Sequence, residues 1–456
     1  MDAFRITGGT RLNGRIRVDG SKNAALPEMA AALMAKGPVQ LRGLPALSDI
    51  DNMVRLMSEL GCQVEHDGED LRLITTDDGS WHARYDIVRT MRASICVLGP
   101  LLARYGQARV AMPGGCAIGD RPVDLHLRGL EALGAKIELD GGDIVARADR
   151  LQGNTVFLGG PFGSTVLGTA NVMCAATLAE GVTVIESAAC EPEIMDLAVM
   201  LNSMGASISG AGTPRITIRG CTELSGCDHR VMPDRIVAGT LAIASAITNG
   251  DVTLEDFPLD HLLAVVDRLQ ATGVRIQRLD ELEPPGRCTI KVTSERRLKP
   301  VLFTTQPYPG FPTDLQAQMM TLLCFADGNS IVTEKIFPDR FLHVSELTRM
   351  GAQLYRQGGT VVIQGVNRLV GAPVMASDLR GSASLVIAGL AAEGTTTVSR
   401  IYHLDRGYKD LEIQLNSLGA EIERFNADAD VGAAGFSTEN ATEKPAAPKS
   451  AGQPTS

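Results

Sequence analysis

Ala132-Leu133-Gly134-Ala135-Lys136-Ile137-Glu138-Leu139 reads as a helix closing on leucine, a glycine cap, then a strand alternating charged and apolar side chains. Glycine just past the last turn adopts the left-handed conformation that ends a helix at little cost. The passage recurs as Glu59-Leu60-Gly61-Cys62, Ser203-Met204-Gly205-Ala206, Ala271-Thr272-Gly273-Val274, Arg349-Met350-Gly351-Ala352 and Ser417-Leu418-Gly419-Ala420. The six glycines stand 73, 71, 68, 78 and 68 residues apart, so the chain repeats one unit six times.

A second series interleaves with the first. Alanine-rich apolar helices end at Gly37, Gly106, Gly181, Gly250, Gly328 and Gly394. β-like runs follow at 39–42, 108–112, 182–186, 251–255, 330–335 and 395–400. Each unit is therefore a buried helix, a strand, an amphipathic outer helix and a strand pair. A helix apolar all round, such as 236–247, has to be enclosed. The single outer helix between strands predicts parallel pairing within a unit. The fold class is α/β, and six units make two globules of three pseudo-repeats each.

The chain begins with β-like runs at 4–7 and 15–18, ahead of its first buried helix. We expect residues 1–20 to complete a C-terminal globule of 231–425, with 21–230 as an inserted domain. Residues 426–456 lose apolar periodicity and read as a disordered tail.

A chain of 456 residues with 44% hydrophobic side chains builds sizeable cores, and a net charge of −10 argues against nucleic acid as a partner. The charged, β-like start is no signal peptide, and no apolar run is long enough for membrane insertion. Nine cysteines without CxxC pairing fit a reducing cytoplasm, and Cys96, Cys174 and Cys324 lie in apolar helical runs. Seven histidines without HxxH or HxxxH spacing point away from a catalytic metal, and no cofactor is expected.

Chemistry is expected where buried helices begin, because their free N–H groups favour anions. Lys22, Arg92 and Arg380 stand at three such starts. A cation there opposes the helix dipole by roughly 0.3–1 kcal/mol when exposed. Repeating that cost makes sense if a polyanion neutralises it. Arg340, after Asp339, and Arg406, after Asp405, follow repeat strands and present forks suited to carboxylate and phosphate, unless the adjacent aspartates take them. Asp314 begins the fifth buried helix, as an N-cap or as a general base. Met112 to Leu125 holds Cys116 among glycines, with Asp120 and Arg121 following, in an exposed setting that suits a reactive thiol.

Lys22-Asn23-Ala24-Ala25-Leu26-Pro27, Thr90-Met91-Arg92-Ala93-Ser94, Pro113-Gly114-Gly115-Cys116, Arg121-Pro122-Val123-Asp124-Leu125-His126, Phe311-Pro312-Thr313-Asp314 and Asp405-Arg406-Gly407-Tyr408 together resemble the UDP-N-acetylglucosamine 1-carboxyvinyltransferase family. The resemblance runs from Met1 to about Phe425. It implies two inside-out α/β-barrel-like domains and transfer of the enolpyruvyl group of phosphoenolpyruvate to the 3'-hydroxyl of UDP-N-acetylglucosamine, the first committed step of peptidoglycan synthesis. It further implies that Lys22, Arg121 and Arg406 contact phosphoenolpyruvate, with Arg340 and Arg380 nearby. Asn23, Arg92, Arg121, Pro122, Val123, Asp124, Leu125, Ser164, Thr165, Asp314 and the Ile336 backbone would bind the sugar nucleotide. Cys116 would protonate the methylene carbon and be the target of fosfomycin-type alkylation. Where the family has Ser-Val-Gly-Ala-Thr, this chain has Thr165-Val166-Leu167-Gly168-Thr169. Gly163, Cys190 and Val237 replace its lysine, arginine and glutamate. The sister transferase acting on shikimate 3-phosphate and a non-catalytic sugar-nucleotide regulator are the competing readings.

Overall fold

The computed structural model describes residues 1–76, 80–113, 123–161, 163–280, 286–295 and 297–428. Six enclosed helices carry the architecture: Lys22–Ala31, a 3-10 turn Arg92–Val97 running into Leu98–Tyr105, Val166–Thr177, Arg235–Ile247, a 3-10 turn Thr313–Leu315 running into Gln316–Leu323, and Leu379–Ala391. All 13 residues of Arg235–Ile247 are buried, as its unbroken apolar circumference requires. Cys96, Cys174 and Cys324 are buried as expected, and burial pushes the Cys96 and Cys324 thiols up to about 12.

Among the described residues there are six four-stranded sheets. They follow one plan, seen in the second repeat. Gln107–Ala111 pairs antiparallel with Asp143–Arg147, which pairs antiparallel with Lys136–Asp140. The parallel neighbour of Gln107–Ala111 is His82–Ala83, which enters the buried helix. The expected parallel pairing across the outer helix is thus corrected. The hairpin's second strand slots between, and the parallel crossover runs through the buried helix, which is long enough to span it. Among the described residues the helices lie inside and the sheets outside, and no sheet closes into a barrel.

Strand exchange links the two ends of the chain. Asp2–Thr7 sits between Thr395–Ser399 and Glu421–Asn426, antiparallel to both. Asn13–Arg17 runs parallel to Asp251–Phe257, while Cys227–Arg230 runs parallel to Val39–Arg42. The backbone crosses twice, side by side, where Gly20 bridges Pro233. A Cβ at Gly20 would lie 2.0 Å from the Gly43 carbonyl oxygen, so only glycine fits there. One hydrophobic cluster draws on residues from Ala24 to Met232, the other on Phe4 to Val18 and Ile236 to Ile422. No helix of the described residues is long and apolar enough to cross a membrane. The tail beyond 428 lies outside the described residues.

Candidate active site

Lys22 opens the first buried helix after Ser21, whose hydroxyl accepts from the Ala24 N–H at 3.3 Å. Pro27 has no N–H to give to the Asn23 carbonyl, so one backbone hydrogen bond of the first turn is missing beside Lys22. The Lys22 ammonium is 7% exposed and donates to Asp49 Oδ2 at 3.1 Å. Arg406, 357 residues away from Asp49, donates to Oδ1 of the same carboxylate at 3.1 Å. Burial holds the Lys22 pKa below its usual 10.5; Asp49 opposes this, while Arg380 and Arg406 add to it. The ammonium therefore sits under a desolvation penalty that Asp49 does not cancel. An arriving anion would relieve it.

Asp314 is not a helix cap. Pro312 holds the cap position of its 3-10 turn without a side-chain hydrogen bond, and the carboxylate is spent elsewhere. Arg340 donates to Oδ1 at 2.6 Å, and Arg380 donates to Oδ2 through Nε at 3.2 Å and Nη2 at 3.1 Å. Both guanidinium groups are nearly enclosed, at 5% and 2% exposure. Burial works against the Arg380 charge; Tyr408, Asp314 and Asp234 outweigh it and raise the pKa. The adjacent aspartates do not compete for these arginines. Asp339 pairs with Arg356, and Asp405 with Arg424.

Several positioning groups escaped the sequence reading, Asp49 among them. Glu334 is 2% exposed and accepts from the Thr305 hydroxyl, the Ile336 N–H and the Phe337 N–H on Oε1, and from the Thr313 hydroxyl on Oε2. Arg340 also donates to Thr313 Oγ1 at 3.1 Å, so Glu334 fixes the turn that carries Asp314. The Ile336 N–H is thereby used, leaving its carbonyl for any ligand. Tyr408 anchors the Arg406 loop: its hydroxyl lies 3.0 Å from Thr240 Oγ1 and receives Gln318 Nε2–H at 3.1 Å. Glu334→Gln should lower stability by about 1–3 kcal/mol, because an amide's one oxygen cannot receive all these donors. Urea unfolding checks this; an unchanged midpoint would show that the loop holds itself.

Two aspartates on helix starts complete the arrangement. Asp234 Oδ1 accepts from the Ile236 and Val237 N–H groups, and its Oδ2 accepts from the Lys22 N–H at 3.3 Å, joining the two halves. Asp378 caps the helix of Arg380 through the Arg380 and Gly381 N–H groups.

The other expected residues are placed less closely. Asn23 is half-buried beside Lys22. Arg92 begins its 3-10 turn near His126, where it adds to burial in holding that imidazole down to about 4. Val123 and Asp124 start the helix Asp124–Ala132, and Leu125 packs on Gly160, whose partner Gly163 precedes Ser164 and Thr165. The Thr165 hydroxyl caps its own helix by accepting from the Gly168 N–H at 3.2 Å, so that oxygen is partly spent. Cys116, Arg121 and Pro122 lie outside the described residues. Lys22, Arg406, Asp314, Arg340 and Arg380 are thus gathered by two carboxylates into one cationic site drawn from both hydrophobic clusters.

Residues 6–415 match the EPSP synthase (3-phosphoshikimate 1-carboxyvinyltransferase) family. The UDP-N-acetylglucosamine 1-carboxyvinyltransferase of Geobacter metallireducens is 51% identical over 424 residues, which is 93% of this chain and 99% of that one. The enzyme of the same name from Methylacidiphilum infernorum is 50% identical with the same coverage. Among solved structures, the enolpyruvyl transferase NikO from Streptomyces tendae superposes with a TM-score of 0.84 at 24% identity, covering 93% of this chain and 99% of that one. EPSP synthase from Acinetobacter baumannii gives 0.74 at 19% identity, covering 93% and 100%. At these identities the structural likeness speaks for the fold alone.

Proposed function

The chain belongs to the UDP-N-acetylglucosamine 1-carboxyvinyltransferases of the enolpyruvyl transferase family, and from that premise we propose that it moves the enolpyruvyl group of phosphoenolpyruvate onto the 3'-hydroxyl of UDP-N-acetylglucosamine with release of phosphate. The observation that supports this reading best is the Lys22–Asp49–Arg406 bridge, its lysine and aspartate buried and its arginine part-exposed, together with Arg380–Asp314–Arg340, a cationic cluster in which Asp314 could meet a hydroxyl. We assign the domains as residues 1–20 with 231–425, and 21–230, joined by the double crossing at Gly20 and Pro233.

Lys22, Arg406 and Arg121 bind the phosphate and carboxylate of phosphoenolpyruvate, with Arg340 and Arg380 alongside. Asn23, Arg92, Val123, Asp124, Leu125, Ser164, Thr165 and the Ile336 carbonyl surround the sugar nucleotide. The Asp314 carboxylate accepts the 3'-hydroxyl proton. Cys116 delivers a proton to the methylene carbon as the sugar oxygen bonds to the neighbouring carbon. The cations then stabilise the departing phosphate as the methyl carbon returns a proton to the Cys116 thiolate and the double bond re-forms.

Phosphate release from phosphoenolpyruvate tests the assignment. UDP-N-acetylglucosamine should support it and shikimate 3-phosphate should not; the opposite preference would refute the reading.

Asp49→Asn should cost about 10²-fold in kcat/KM for phosphoenolpyruvate, since a shift of about 1 Å in Lys22 and Arg406 is felt on that scale. The KM for the sugar nucleotide should hardly change. Equal loss for both substrates would mean that Asp49 supports the fold rather than the two cations.

Lys22 also sets a pH dependence. Its free-protein pKa lies below 10.5, and a bound dianion raises it. Phosphoenolpyruvate binding therefore takes up a proton between the depressed value and 10.5, and affinity falls as pH rises through the depressed value. The stability sign is the reverse of an ordinary ion pair. Burying the ammonium costs stability below the depressed pKa, and that cost is relieved as pH climbs toward 10.5. Titration calorimetry across the alkaline range reads the effect, and Lys22→Arg should flatten it. A flat wild-type profile would contradict the assignment.

A further inference from the structure

Six residues past Lys22, on the same buried helix, Glu28 points into the interior at 0% exposure. Neither of its carboxyl oxygens receives a hydrogen bond. Facing it are His229, from the strand Cys227–Arg230, and Asp196, from the helix Pro192–Ser203. His229 Nε2 lies 3.3 Å from Asp196 Oδ1 and 3.6 Å from Glu28 Oε1, with no hydrogen bond to either. One ligand atom from each residue falls within 4.8 Å of the others.

We propose that Glu28, Asp196 and His229 form a structural site for a divalent cation of the zinc class. The spacing carries the argument. Ligands at about 2.0–2.2 Å from a tetrahedral ion stand about 3.3–3.6 Å apart, which is the separation found here between imidazole and each carboxylate. The charges agree as well: two carboxylates and a neutral imidazole present −2, which a dication cancels. Protons serve the cluster less fully: an imidazolium N–H on His229 Nε2, 3.3 Å from Asp196 Oδ1 and 3.6 Å from Glu28 Oε1, would still leave Glu28 Oε2 without a donor in a fully enclosed place, an arrangement that is costly. The remaining Asp196 oxygen accepts from the Met232 N–H at 2.9 Å, which turns Oδ1 toward the other two groups. Imidazole with two carboxylates suits zinc better than the all-oxygen preference of magnesium or calcium.

The site touches none of the residues assigned to the reaction, so its role is mechanical. It would tie the helix of Lys22, the helix Pro192–Ser203 and the strand that leads into the second crossing at Met232 and Pro233. The absence of a short histidine motif does not bear on it, because its ligands are drawn from three elements far apart in the sequence.

The test uses tag-free full-length protein. After exhaustive dialysis against metal-free buffer, elemental analysis should find close to one zinc per chain. A strong chelator should remove the zinc and lower Tm, and added zinc should restore both. Glu28→Gln and His229→Gln should lose the metal and the zinc-dependent shift in Tm, while still releasing phosphate. Wild-type protein that carries no zinc, and whose Tm is indifferent to zinc and chelator, would overturn the proposal without reference to any variant. So would retention of zinc by both variants.

Discussion

Asp314→Ala lowers kcat by about 10²–10⁴-fold, the range for loss of a general base, and destabilises the protein by about 3–5 kcal/mol. The second effect follows from the geometry. Arg340 and Arg380 are almost fully buried, and both direct guanidinium N–H groups at the one carboxylate. Removing it leaves two neighbouring cations in a low-dielectric setting, repelling each other. Asp314 is itself part-exposed, with 26% of its side chain open, so solvent entering the gap should bring the loss toward the lower figure. Steady-state phosphate release and urea unfolding measure the two effects separately. A variant that is inactive yet as stable as wild type would mean that the arginines have other anchors. A variant that is destabilised yet active would remove Asp314 from the chemistry.

Lys22→Gln gives the second large effect, a drop of about 10²–10³-fold in kcat/KM for phosphoenolpyruvate. Stability should stay level or rise. The lysine is charged at the expense of burial and of repulsion from Arg380 and Arg406, and Asp49 keeps Arg406 after the change. The pairing of lost turnover with retained stability is what distinguishes a group held in strain for its ligand from one that holds the fold. Steady-state kinetics with each substrate varied, together with Tm, reads both. A Lys22→Gln protein that turns over normally would dismiss the ammonium from the site.

The repeat was legible because glycine caps and enclosed helices leave strong local marks, seen from Gly61 to Gly419. The short parallel strands were not. His82–Ala83, Thr155–Phe157 and Leu302–Thr304 have 2 or 3 residues, too few to show a period, and their partners lie beyond an entire helix. The N-terminal strands were legible only as strands wanting a sheet. At the site, Lys22 and Arg380 announced themselves by standing where a helix dipole disfavours them. Their carboxylate partners gave no such sign. Asp49 looks like any acidic residue in the first turn of an outer helix, and its partner Arg406 is 357 residues away. Glu334 follows a strand as a surface residue would, yet it is buried and saturated. Sequence adjacency misdirected as well: Asp339 and Asp405 sit beside the arginines but pair elsewhere.

The most direct measurement is a crystal structure of the protein with phosphoenolpyruvate and UDP-N-acetylglucosamine bound together, using a slow variant to hold them. The account predicts the phosphate and carboxylate of the first substrate within hydrogen-bond reach of Lys22 and Arg406, and the sugar 3'-hydroxyl against Asp314. Substrates seated away from these three side chains, with the Asp49 and Asp314 bridges undisturbed, would contradict it.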